Sequence, residues 1–497
     1  MIRPFAATTT FAILLAAALA VPGRAANNDV PKAVAELMAD YGRQIEDLAR
    51  WCDTNRLDEQ ARRTRRAICP KDPYKLYIPA LPREVGAESL PNDAPPKVAE
   101  WSQKFNNLRR EQAIALFDAA RRAVRTGHTG LAFDLVYAAL QANPDLEPAR
   151  KLLGYQKYRD EWRTPYELKK LRAGFVWSDK FGWLPKVYLA RYEQGQRFSG
   201  GRWISAEDDA KRHADIRSGW DVETEHYLIR TNHSLEAAVA LGKKLERLHQ
   251  VWRQIFLRYY ATEADVLALF DGRSKTPLTA PAKHDIVLFR DRESYNQTLK
   301  AAMPNIGISI GVYVDQTRRA YFFVGDEADD RTLYHEATHQ LFHESRRVVP
   351  TVGRKANFWI VEGIAMYMES LREEVGYYVL GGYDDERLQA ARYRLLHDHF
   401  YVPLSEFTGF GMEQLQKDSR IATLYSQAAG LTHFLIHDNS GRYREALVSY
   451  LLAVYTGRDN LETLSNLTRE SYADLDRQYR VFLEAAPPRE KKTPDAR

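Results

Sequence analysis

Cysteine is nearly absent: two residues in 497, Cys52 and Cys69. Two thiols cannot build the disulfide framework of a small secreted scaffold, nor a zinc site made of cysteines alone. Without CxxC spacing they are poor metal ligands, but in an oxidising compartment a disulfide closing the short loop between them would stabilise by about 3 kcal/mol. A strong charge of one sign is also missing, with 71 basic against 66 acidic residues. That field is too weak to argue for nucleic acid or an anionic membrane as a partner. The one dense basic run, ARRTRR at 61–66, reads as a solvated helix face. Beyond the first 25 residues there is no apolar run long enough to cross a bilayer, so no membrane span is expected in a mature chain.

What is present begins with MIRPFAATTTFAILLAAALAVPGRA, a basic start, an apolar run and small residues at 23 and 25. This reads as a secretory signal peptide at 1–25, cleaved near Ala25, with export to a periplasm or the medium. Its removal takes away Arg3 and Arg24, leaving 69 basic against 66 acidic residues. The expected layout continues with a helical segment and proline-rich connector at 26–96 and a helical region at 97–218. An α/β subdomain at 219–348, a helical subdomain at 349–485 and a disordered tail at 486–497 follow. Within 97–218, the small residues, Gly127, Gly130 and the stop at Asn143-Pro144 resemble tetratricopeptide helical hairpins. Glu161-Trp162-Arg163-Thr164 is echoed by Arg202-Trp203-Ile204-Ser205, each ending in a helix-capping residue, which reads as a repeated packing module.

The chemistry sits in RTLYHEATHQLFHE. Four residues on a helix advance about 400°, so His335 and His339 project from one face a turn apart and can grip one metal ion. Glu336 stands about 100° further round, where it can take a proton from a water acidified by the metal. The neighbours Thr332, Leu333, Ala337, Thr338, Gln340 and Leu341 are uncharged, as expected under a cleft. Catalytic zinc sites use three protein ligands and leave one position open. Phe342 and Ser345 exclude the HExxHxxGxxH form, and His343 lies too far along the helix to close a compact site. Glu362, in FWIVEGIAMYMES, follows a buried apolar run where an acid needs a partner, and Gly363 and Ala365 let its helix approach the first.

HEATHQLFHE followed about twenty residues later by WIVEGIAMYME resembles the gluzincin (thermolysin-like) metallopeptidases. The resemblance implies an α+β zincin fold, with a twisted mixed sheet and edge hairpin before the HExxH helix and a helical subdomain after it. It implies Zn²⁺ held by His335, His339 and Glu362, Glu336 as general base, and peptide or protein as substrate. It also implies an oxyanion donor from the downstream helix, for which Tyr425 is the first candidate and His433 the second. Carboxylates that orient the histidines are sought among Asp329, Asp330 and Glu369. Alternation at His226–Thr231, Asp285–Phe289, Gly311–Val314 and Ala320–Val324 predicts strands, with helices over Leu235–Tyr259 and Glu293–Ala302. Ala320–Val324, or its hairpin partner, is the expected substrate-lining edge. Rival readings are a non-catalytic zincin-fold scaffold and a non-peptide metallohydrolase. Nothing in the sequence assigns an oligomeric state.

Overall fold

The computed structural model describes residues 29–85, 91, 93–273, 283–326 and 328–485; the expected signal peptide and tail lie outside the described residues. The fold is α+β, predominantly helical with small sheets. Helix α1 (Asp29–Thr54) turns Tyr41, Ile45, Leu48 and Cys52, spaced three and four apart, onto Trp101 and Phe105. Strand β1 (Lys75–Pro79) follows, inside the segment expected to be connector. Helices α2 (Pro96–Arg125) and α3 (Thr129–Ala142) form a close hairpin, because Ala113, Ala120, Ala123, Ala132 and Ala139 are all fully buried. Gly127, at φ +86°, makes the reversal.

Helical character then gives way. Three two-stranded hairpins (Gln156–Tyr158 with Glu161–Arg163, Phe175–Ser178 with Gly182–Pro185, Gln196–Ser199 with Arg202–Ser205) are each followed by a short helix. Thr164 closes a capping box with Glu167, whereas Ser205 caps through the Asp208 amide. The tryptophan echo is thus a hairpin-plus-helix module, and a single close helical hairpin, α2 and α3, occupies the stretch that resembles tetratricopeptide hairpins. The two cysteines are free: Cys52 faces Thr64 and Cys69 faces Tyr377, so their thiols serve different neighbourhoods.

The main sheet uses β2 (Trp220–Glu223), β3 (Tyr227–Thr231), β4 (His284–Phe289), β5 (Val312–Val314) and β6 (Arg319–Phe323), in the order β5-β6-β4-β3-β2. The inner pairs β3/β4 and β4/β6 are parallel, and the outer pairs are antiparallel. Helix α4 (Leu235–Ile255) covers one face. The edge is β5, the outer strand of the expected hairpin. Helices α5 (Asp330–Glu344) and α6 (Phe358–Met368) follow, then β7 (Arg372–Glu374) and β8 (Tyr377–Gly381). Strand β8 pairs with β1 over five residues from Lys75↔Gly381 to Pro79↔Tyr377, across about 300 residues of chain. Helices α7 (Glu386–Leu396), α8 (Ile421–Gly441, broken at Asp438–Ser440) and α9 (Arg444–Thr456) close the body. No helix among the described residues is long and apolar enough to cross a membrane.

Helix α6 crosses α8 at Gly363, where a Cβ would fall 2.4 Å from Thr432 Oγ1 and 2.9 Å from the Ala428 carbonyl oxygen. Gly363→Val should therefore destabilise by about 3 kcal/mol in urea unfolding. Gly307→Ala, whose added methyl meets nothing within 4 Å, should leave the midpoint in place.

Candidate metal centre

Asp329 starts α5 by accepting a hydrogen bond from the Thr332 amide at 2.7 Å. One side of that helix is sealed by Leu333, Ala337, Thr338, Leu341 and Phe342, which leaves His335, Glu336 and His339 on the side facing α6 and β5. Glu362 projects from the second turn of α6, whose other residues are almost all buried. The two helices bring His335 Nε2 and His339 Nε2 to 3.1 Å of each other, and Glu362 oxygens to 3.5 and 3.8 Å from those nitrogens. Ligand atoms 2.0–2.1 Å from a tetrahedral zinc stand about 3.3 Å apart, so this donor set fits that ion. The three side chains are between 13% and 16% exposed, enough for access from one side only.

Of the three candidate orienting acids, Glu369 reaches a histidine. Its Oε1 lies 2.8 Å from His335 Nδ1, which makes Nδ1 the donor there and leaves Nε2, facing Glu362, as the nitrogen a metal would take in place of its proton. Glu369 is itself clamped by Arg387 through Nε at 2.8 Å and Nη2 at 3.0 Å, with Arg331 at 3.5 Å. Asp330 instead pairs with Lys244 at 2.5 Å. Burial opposes a charge on His335, but hydrogen bonds to Glu362 and Glu369 outweigh it and lift the imidazole to about 10. Burial pushes His339 down to about 4. Glu336 is raised to about 7, chiefly by burial, against the pull of His335 and of the Tyr313 amide, which donates to its Oε2 at 2.8 Å.

Tyr425 is placed against Glu362 and bonds to it, with Gln416 alongside. His433 is not at this site. It is fully buried on α8, its ring 5.0 Å from Tyr367 and its Nε2 3.2 Å from Asp385, where no substrate can touch it. His343 stands apart from the ligands, between Tyr313 and Tyr455. Three features carry no local sequence signal: the Tyr313 backbone amide, the Arg387 clamp, and Tyr455. The Tyr455 hydroxyl is buried without a hydrogen-bond partner in the field of Glu362.

A second His/Glu/His group, His226, Glu246 and His249, also comes together among the described residues. Here both Glu246 oxygens are taken by His226, at 2.8 Å from its amide and 2.6 Å from Nδ1. The imidazoles of His226 and His249 stack at 3.7 Å with 24° between their planes, which sends their lone pairs out side by side rather than to one point. The His335 group is the better metal site on geometry.

Residues 330–457 match a family model described as Protein of unknown function (DUF1570). The matched stretch runs from the first residue of α5 to the glycine after α9, and so contains His335, Glu336, His339, Glu362 and Glu369 but not Tyr313 or the five-stranded sheet. A search of curated proteins gives no match to the chain.

Glu369→Gln should weaken Zn²⁺ binding about 10- to 100-fold in chelator competition while leaving the fold intact. Asp329→Ala should leave the affinity unchanged and cost about 1 kcal/mol of stability as a lost helix cap.

Proposed function

We propose that this chain is an exported zinc-dependent metallopeptidase of gluzincin type, with His335, His339 and Glu362 holding the metal. The observation that carries the reading is the convergence of two α5 imidazoles and one α6 carboxylate beside Glu336, a half-buried acid with no ion pair among the described residues. When bound, zinc supplies Lewis-acid polarisation of a carbonyl and a lowered pKa for water. Glu336, lifted to about 7 by its surroundings, has the proton affinity of a general base near neutrality. It takes the proton of the attacking water and delivers it to the leaving amine. Tyr425, half-buried beside Glu362, is the side chain positioned to donate to a developing oxyanion. Strand β5, at the sheet edge and bonded to Glu336 through the Tyr313 amide, offers an extended peptide a backbone to pair with. Such pairing recognises main chain, which favours a peptide over other hydrolysable groups. Export rests on the basic, apolar and small-residue pattern of 1–25.

Elemental analysis of the purified chain should give about one zinc per molecule, lost in both His339→Ala and Glu362→Ala. Glu336→Gln should keep the zinc and lose cleavage of a peptide library. A folded wild-type chain that takes up no zinc on reconstitution overturns the proposal.

A further inference from the structure

A cavity of about 660 Å³ lies between α1, α3, β1, the end of α4 and the start of α9. No residue of the His335 site lines it. Its walls are mainly apolar, with Leu116 and Ala138 from the helical hairpin and Ile78 from β1. The polar side chains include Asp134 on α3, Gln254 on α4 and Arg444 and Glu445 on α9, with Arg43, Glu46 and Lys71 elsewhere in the lining. Gln254 stands beside Asp134, and its Oε1 is buried without a partner among the described residues. Arg444 Nε and the hydroxyl of Tyr41, which also lines the cavity, are likewise buried and unpartnered. Gln254 and Tyr41 are each 7% exposed. Asp134 is open to the cavity, while the protein crowded round it raises its carboxyl to about 6 and Arg444 offsets part of its charge.

These observations specify a ligand. A concave, mostly apolar space of this size with a few polar groups is the form of a small-molecule site. The unpartnered atoms include an acceptor, Gln254 Oε1, and two donors, Arg444 Nε and the Tyr41 hydroxyl. A buried polar atom left without a partner costs about 1–3 kcal/mol, so a head group that both donates and accepts gains most here. Acids (Asp134, Glu46, Glu445) and bases (Arg444, Arg43, Lys71) both line the space, so an ionic head of either sign would lose water beside a like charge. We propose that this cavity is a binding site for a small neutral amphiphile of the primary-amide class, its aliphatic body against Leu116, Ile78 and Ala138 and its amide against Gln254, Asp134 and Arg444.

Helix α1 provides a clean variant. Gly42 lines the cavity, and a Cβ there meets nothing within 4 Å. Gly42→Phe therefore fills the space and raises helix propensity in the same step. Isothermal titration of the full chain with octanamide, octylamine and octanoate, each below its micelle concentration, is the test. The expected result is saturable octanamide binding, about tenfold or more tighter than the amine or the carboxylate. Gly42→Phe should weaken it by about tenfold or more at unchanged zinc content and unfolding midpoint. Ala138→Trp fills the same space from the opposite wall and decides the matter should Gly42→Phe fail to fold. No saturable octanamide binding, equal or tighter binding of the ions, or undiminished binding by the cavity-filling variants overturns the assignment.

Discussion

The carboxylate of Glu369 is the fixed point on which the metal centre depends. Its side chain is only 4% exposed, and taking a carboxylate out of water costs several kcal/mol unless its oxygens are satisfied. Here they are satisfied by groups on two other helices. His335 comes from α5, Arg387 from the first turn of α7, and Glu369 itself stands just past α6. The pairing sets the tautomer of His335, and the tautomer decides which nitrogen has a lone pair to offer. A histidine on the same helix without that acid would hydrogen-bond through either nitrogen and define no site. The coordinating geometry is therefore a consequence of an ionic clamp one residue outside it, more than of the HExxH string alone.

The proposed general base has a different anchor. Glu336 is held by the Tyr313 amide on β5, and β5 is held from beneath by a buried carboxylate. Glu344, at the far end of α5, accepts from the Tyr313 hydroxyl at 3.2 Å and from Gln340 at 3.1 Å, and it bonds His284 on β4 at 2.7 Å. One helix thus carries both candidate histidine ligands, the proposed base and the acid that fixes the strand beside it. This explains why the segment 330–457 holds every charged group of the site yet cannot define the cleft by itself. The edge strand and its support come from the sheet that precedes it.

Much of the site is legible in sequence because it is local. His335, Glu336 and His339 fall within five residues, and helical periodicity alone puts the histidines on one face. Glu362 is marked by an apolar run, where an acid is out of place unless it has a partner. The hairpin ending at Phe323 is marked by alternation. What resists reading is long-range. Strand β1 has its partner about 300 residues away, so nothing near Lys75 to Pro79 announces a sheet. The hairpins at 156–205 use strands of three or four residues, too short for period-two alternation to show. Glu369, Asp329 and Asp330 are indistinguishable as letters, and the tertiary partner of each separates them. Tyr425 and His433 look equivalent on one apolar helix, but eight residues of helix are about 12 Å. That rise carries His433 past the metal centre and into the packing of Tyr367 and Asp385.

The pairing of β1 with β8 changes what the region ahead of the metal centre can be. A segment that only lay over the cleft would contribute little to the core. Instead Tyr74 and Ile78 belong to the same buried cluster as α5, α6 and α8, and Tyr74 packs on Tyr383 and Phe482. Strand β8 ends at Gly381, whose amide donates to Ser370 Oγ, the residue next to Glu369. Removing residues 29–96 would expose the backbone edge of β8 and the core face under Ile78, and would free the strand that steadies the chain just after Glu369. The N-terminal region is thus a wall of the same body, and the cavity at Asp134 and Gln254 lies in the seam where that wall meets it.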